Sequence, residues 1–122
     1  MDFKTHRAWL TPEITSQGRM PAHTPLSSWR SEGAARDEEA SDSLISLDGQ
    51  WYFELFPRPT DVPDNWPSQT ETLGTITVPG HWQLQGFDRP IYTNVKYPFP
   101  CEPPKVPEQN PTGCYHLSLI HI

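Results

Sequence analysis

Twelve prolines lie between Pro57 and Pro111. Each fixes φ and removes a backbone donor, so helix interiors and central sheet positions are closed to it. Long helices are therefore excluded from this half of the chain, which is left with short strands and rigid loops. The densest stretch is Val78 to Pro100, VPGHWQLQGFDRPIYTNVKYPFP. Pro79, Pro90, Pro98 and Pro100 punctuate it, and Trp82, Phe87, Tyr92, Tyr97 and Phe99 supply large faces with little side-chain entropy to lose. Such a loop suits the C–H face of a sugar ring or the wall of a neighbouring domain.

Strand signals surround this block. Ile45 to Leu47, a turn at Asp48-Gly49, and Trp51 to Phe56 read as a hairpin. In WYFELF, Trp51, Phe53 and Leu55 fall on one face and Tyr52, Glu54 and Phe56 on the other. Both faces are largely apolar, so both are expected to be covered. Pro57 to Thr72 reads as a linker-like loop containing Trp66. Leu73 to Val78 reads as a second strand and Cys114 to Ile122 as a third. Upstream, residues 1–44 are polar, with Trp9, Met20, Leu26 and Trp29 as isolated apolar anchors. They read as an extended arm with one short helix from Ser31 to about Glu39, where Ser31 is an apt N-cap and Glu32 suits the first turn.

Length and charge exclude several classes. The 122 residues allow one domain at most, with a lean core, since 34% are hydrophobic. The net charge is −6 and the nine Lys and Arg are scattered singly, so no basic stripe for nucleic acid exists. Asp37, Glu38, Glu39 and Asp42 read as a solvated helix end or loop. No apolar run approaches a membrane span, and Lys4, His6 and Arg7 are followed by no apolar signal core. Cys101 and Cys114 do not make a disulfide scaffold. A cytoplasmic location with both thiols reduced is expected.

Four segments, in order, carry a family resemblance: RMPAHTPLSSWRS (Arg19 to Ser31), LDGQWYFELFP (Leu47 to Pro57), the Val78 to Pro100 loop, and NPTGCY (Asn110 to Tyr115). Together they resemble the N-terminal sugar-binding domain of a glycoside hydrolase family 2 β-galactosidase, over about Trp9 to Leu119. The resemblance implies an all-β fold, a jelly-roll-like, galactose-binding-domain-like β-sandwich behind the arm, with the arm at 1–44 and the domain at 45–122. Three or four strands are too few to close a jelly roll of about eight. The expected sandwich is therefore incomplete, and the chain is expected to be a piece of a longer protein. The six residues LSLIHI (Leu117 to Ile122) admit two readings: an ordinary strand, or read-through into a transposon-end library sequence that one frame translates as those residues.

The resemblance assigns one site residue. It implies that Asn94 projects into the active-site pocket of a following barrel domain and hydrogen-bonds hydroxyls of a galactosyl unit, a task suited to an amide that both donates and accepts. Read from the residues alone, Asn94 is a turn residue bonding its own backbone. Tyr92 and Thr93 flank it as structural residues or pocket edge, and Asp88 and Arg89 are candidates for a loop-fixing ion pair or hydrogen bonds. His81, where the family often has Asn, reads as a packing or capping residue, and Trp82 as a core or interface tryptophan. Retaining glycoside hydrolysis needs two carboxylates ~5 Å apart. The family places both on the barrel, so no catalytic residue is assigned here, and Glu102 and Glu108 read as chance neighbours.

No metal ligand is assigned either. His6, His23, His81, His116 and His121 are dispersed, and the two cysteines lack zinc-site pairing. The resemblance implies magnesium and sodium for the full-length enzyme, with their ligands beyond this chain. Some members also hold a bridging metal with an acidic residue before the first Trp and an Asn after it; here those positions are Ala8 and Thr11. Gly18 likewise stands where the family often has Asn. The function implied is an N-terminal segment of an enzyme that hydrolyses terminal non-reducing β-D-galactose from lactose-type β-galactosides, inactive alone. Its partners would be the remaining domains and other subunits of a homotetramer. The alternatives are a free-standing carbohydrate-binding module and an assembly arm without catalysis.

Overall fold

The computed structural model describes residues 7–24, 27–68 and 73–119, the side chain of Pro67 excepted. It resolves two compact units: the described residues up to Thr15 with those from Gly49 onward, and Ser16–Asp48.

The first unit is built on a three-stranded antiparallel sheet in the order β2-β1-β3, with β1 at Gly49–Phe56, β2 at Gly74–Val78 and β3 at Thr112–His116. This agrees with an all-β fold. In register, Trp51 pairs with Ile76 and Gly49 with Val78, while Phe53 pairs with Tyr115 and Leu55 with Gly113. Paired residues share a face, so Trp51, Phe53, Leu55, Ile76 and Tyr115 form one apolar surface. Its centre is Phe53, 1% exposed, beside Ile76, 2% exposed. Three rings close around Phe53: Phe87 at 4.6 Å, Tyr115 at 4.8 Å and Trp82 at 6.0 Å between centroids. Edge-on aromatic packing adds to the area that this burial removes from water.

The hairpin expected at Asp48-Gly49 is not formed. Residues 45–47 are not a strand, and Gly49 (φ 137°) opens β1 opposite Val78. The reason is occupancy. β2 pairs with β1 from its first residue, Gly49 opposite Val78, which takes this residue into the strand and out of the turn. The third strand also differs from expectation. It begins at Thr112 and ends at His116, short of the expected end, and residues 120–122 lie outside the described residues.

The second face of the sheet is only partly covered. Tyr52 is exposed, whereas Glu54 lies under the loop after β1. That loop carries Trp66, which is buried and donates from Nε1 to Glu54 Oε2 at 2.8 Å. The Trp66 ring also stands edge-on to His116 at 6.4 Å. Val62 and Pro59 are buried in the same loop, so a stretch with linker composition supplies part of the core.

In the second unit, α1 spans Glu32–Arg36. Ser31 is its N-cap, accepting from the Ala34 N–H at 3.1 Å, and Glu32 stands in the first turn. The helix ends earlier than expected because Glu38 takes a left-handed φ of 51° directly after the Asp37 cap. None of this unit's described residues is buried. Polar contacts instead draw residues 28–30 to 39–42: Trp29 Nε1 donates to the Glu39 carbonyl at 2.7 Å, Arg30 pairs with Asp42 at 3.0 Å, and the Ser41 hydroxyl donates to the Ser28 carbonyl. Met20 is exposed, and Leu26 lies outside the described residues.

Candidate functional site

The loop from Gly80 to Pro111 leaves the sheet through a short 3-10 turn, Trp82–Leu84. Trp82 and Phe87 anchor it on Phe53. Trp82 is thus a half-buried tryptophan packed on the core residue Phe53, and its buried Nε1 has no hydrogen-bond acceptor. His81 occupies the N-cap position of the turn, but its side chain makes no cap hydrogen bond. On either side of Phe87 the backbone takes a left-handed step, Gly86 at φ 91° and Asp88 at φ 59°. Asp is among the few side chains that tolerate this region.

Beyond Asp88 the chain is exposed from Arg89 through Pro98. No Asp88–Arg89 ion pair forms; both residues instead line an open cleft of about 350 Å³ with Ile91, Tyr92, Phe99 and Gln109. Tyr97 and Phe99 pack edge-on at 4.7 Å. The far end of the loop is fastened back onto the segment after β1. The Asn110 N–H donates to the Pro57 carbonyl at 3.2 Å, and Arg58 bridges Asp61 at 3.0 Å and Glu108 at 3.4 Å. The Asp61 hydrogen bond, with the charges of Asp61 and Glu108, holds the Arg58 guanidinium above its ordinary pKa.

Asn94 stands in this exposed segment, and its side chain does not cap its own backbone. Its Nδ2 donates to the Tyr92 hydroxyl oxygen at 2.9 Å. One amide N–H is thereby used, while Oδ1 and the second N–H stay available to a ligand. Thr93 shares the exposed segment. Glu102 is paired with Lys105 at 3.1 Å and Glu108 with Arg58. Each of the two acids is thus turned to a cation.

Among the described residues no three His, Cys, Asp or Glu side chains gather into a group that could hold a metal. Ala8 offers no donor, and the Thr11 hydroxyl donates to the Arg7 carbonyl at 3.4 Å. Cys101 and Cys114 are free thiols. Burial, and secondarily the charge of Glu54 across the strand pair, pushes the Cys114 thiol up. Among the described residues no helix is long and apolar enough to cross a membrane.

Two features escape a reading of the sequence: the Tyr92 partner of Asn94, and the role of Trp66 as a lid over Glu54. An i, i+2 spacing in an irregular loop carries no contact signal, and a tryptophan in a proline-rich loop carries no period.

The family model for glycosyl hydrolases family 2, sugar binding domain, matches residues 44–121. A β-galactosidase of Erwinia tasmaniensis is 53% identical over 114 residues, 93% of this chain. A β-galactosidase of Pectobacterium atrosepticum is 53% identical over 119 residues, 97% of this chain. A protein named β-galactosidase 2 from Enterobacter cloacae is 50% identical over 114 residues. The chain spans 11% of the length of each of these relatives. With most of its length matched, the chain belongs to glycosyl hydrolase family 2 and carries that family's sugar-binding domain.

Proposed function

We propose that this chain is the N-terminal segment of a β-galactosidase that hydrolyses terminal non-reducing β-D-galactose from lactose-type β-galactosides. The single observation that carries this reading is 53% identity over nearly the whole chain to the Erwinia tasmaniensis β-galactosidase. Residues 1–44 act as an arm and residues 45–122 as part of a jelly-roll-like sugar-binding domain. The segment contributes one substrate contact, the Asn94 amide, from a loop that the Trp82 and Phe87 anchors hold in place. It contributes no acid/base and no nucleophile. Retaining hydrolysis needs two carboxylates ~5 Å apart, and Glu102 and Glu108 are committed to surface cations. Those groups, and the magnesium and sodium of the complete cytoplasmic tetramer, belong to the rest of the enzyme.

The test is complementation. The purified 122-residue chain is mixed with Erwinia tasmaniensis β-galactosidase deleted of its matching segment, and release of o-nitrophenol from the β-galactoside is followed. Activity only in the mixture supports the reading. Turnover by the chain alone, or a mixture as inactive as its parts, overturns it. Low-millimolar galactoside binding by the free chain without complementation would favour the carbohydrate-binding module instead.

A further inference from the structure

The Tyr92–Asn94 hydrogen bond has a chemical consequence for the reading of Asn94 given above, on which the following rests. An exposed asparagine amide is free to turn about χ2 and to bond water or its own backbone. Here Nδ2 is held at 2.9 Å from the Tyr92 oxygen. Tyr92 lines the same cleft as Pro90, Pro98 and Phe99, and the two prolines fix φ on either side of the Tyr92–Asn94 segment. The amide plane is therefore set, with Oδ1 free to accept from one sugar hydroxyl and the second N–H free to donate.

We infer that Tyr92 is a positioning residue for substrate: its hydroxyl orients the Asn94 amide so that the amide meets a galactosyl hydroxyl with both acceptor and donor aligned. Both side chains are exposed, Tyr92 at 73%, so the pair is arranged ahead of any ligand and the cost of ordering the amide falls on folding rather than on binding.

The test is a double-mutant cycle in the complemented enzyme, using this full chain with Tyr92→Phe, Asn94→Ala, or both. Phenylalanine keeps the aromatic ring at the cleft and removes only the hydroxyl acceptor. Tyr92→Phe is expected to raise KM for the o-nitrophenyl galactoside about five-fold, the equivalent of one hydrogen bond, and to raise it less than about two-fold in the Asn94→Ala background. An equal factor in both backgrounds would mean that Tyr92 acts as packing alone and would overturn the inference, as would an unchanged KM in Tyr92→Phe. If Asn94→Ala leaves KM unchanged, the Asn94 contact itself falls, and the positioning role with it. A second measurement stands apart from activity. In the nuclear magnetic resonance spectrum of the free chain, the two Nδ2 protons of Asn94 should be well separated, and should converge in Tyr92→Phe. Identical Asn94 amide signals in the two proteins would overturn the hydrogen bond directly.

Discussion

The side-chain amide of Gln85 stands in for a missing strand beside Thr77. Its Oε1 accepts from the Thr77 N–H at 2.8 Å, and its Nε2 donates to the Thr77 carbonyl at 3.0 Å. The outer edge of β2 is thereby blocked at one residue, in the manner of a peptide group. Edge strands with open donors and acceptors invite pairing with other chains. The Gln85→Ala variant is expected to lose about 1 kcal/mol of stability, low because the site is exposed, and to self-associate more readily. Gly80→Ala should act through the same bond, since a Cβ there would meet Gln85 Nε2 at 2.5 Å and the Thr77 carbonyl oxygen at 2.8 Å. Urea unfolding of both variants and the double variant checks this: their losses should be sub-additive, and analytical ultracentrifugation reads the association.

Gly113 is required where β3 passes Phe53. A Cβ at this position would overlap the Trp82 ring, at 2.6 Å from Cε3, and lie 2.8 Å from Phe53 Cε2. The Phe53 ring is enclosed from other sides by Phe87 and Tyr115. Gly113→Ala is expected to destabilise the sheet by about 1–3 kcal/mol, the usual cost of overpacking. Thermal unfolding measures it, and an unchanged midpoint would contradict the packing described.

Trp66 and Glu54 form a directional pair, so shape and hydrogen bonding can be separated. Trp66→Phe keeps an aromatic ring under the loop but leaves Glu54 without its indole donor. A loss of about 1–3 kcal/mol is expected. Glu54→Gln retains an acceptor for the indole and should cost less. Denaturation of the two variants in parallel tests the order.

The Cys114 thiol ties stability to pH. Its pKa is raised in the folded chain, first by burial and then by Glu54. A raised folded value means that the unfolded chain gives up its proton first. This contribution is therefore intact below the ordinary thiol value and is lost as pH rises through the folded value. Between pH 7 and pH 10 the parent chain should lose more stability than Cys114→Ala, as read by urea midpoints. Exposed Cys101 should also react with a thiol reagent before Cys114 does.

What the residues announced and what they concealed divide along physical lines. Alternation placed β1 and β2 to within a residue or two, because a half-buried strand must repeat every second position. Ser31 announced the start of α1, because a cap is a contact with residues three positions away. Asp48-Gly49 misled because its local turn preference competes with a partner strand about thirty residues downstream, and Val78 wins Gly49. Trp66 was concealed because its burial depends on Glu54 rather than on neighbours in sequence. At the candidate site, motif resemblance singled out Asn94, but no sequence spacing could show that its amide would turn to Tyr92 instead of to the backbone.

The central position of β1 has a temporal consequence. Its pairing with β2 becomes possible once Val78 has left the ribosome, but Phe53 meets Tyr115 only about sixty residues after its own synthesis. Until then, one flank of β1 stands bare on the nascent polypeptide, and the aromatic cluster lacks the ring that completes it. Assembly of this sheet is thus governed by its most distant contact, an arrangement that slows folding and gives chaperones a defined interval in which to act.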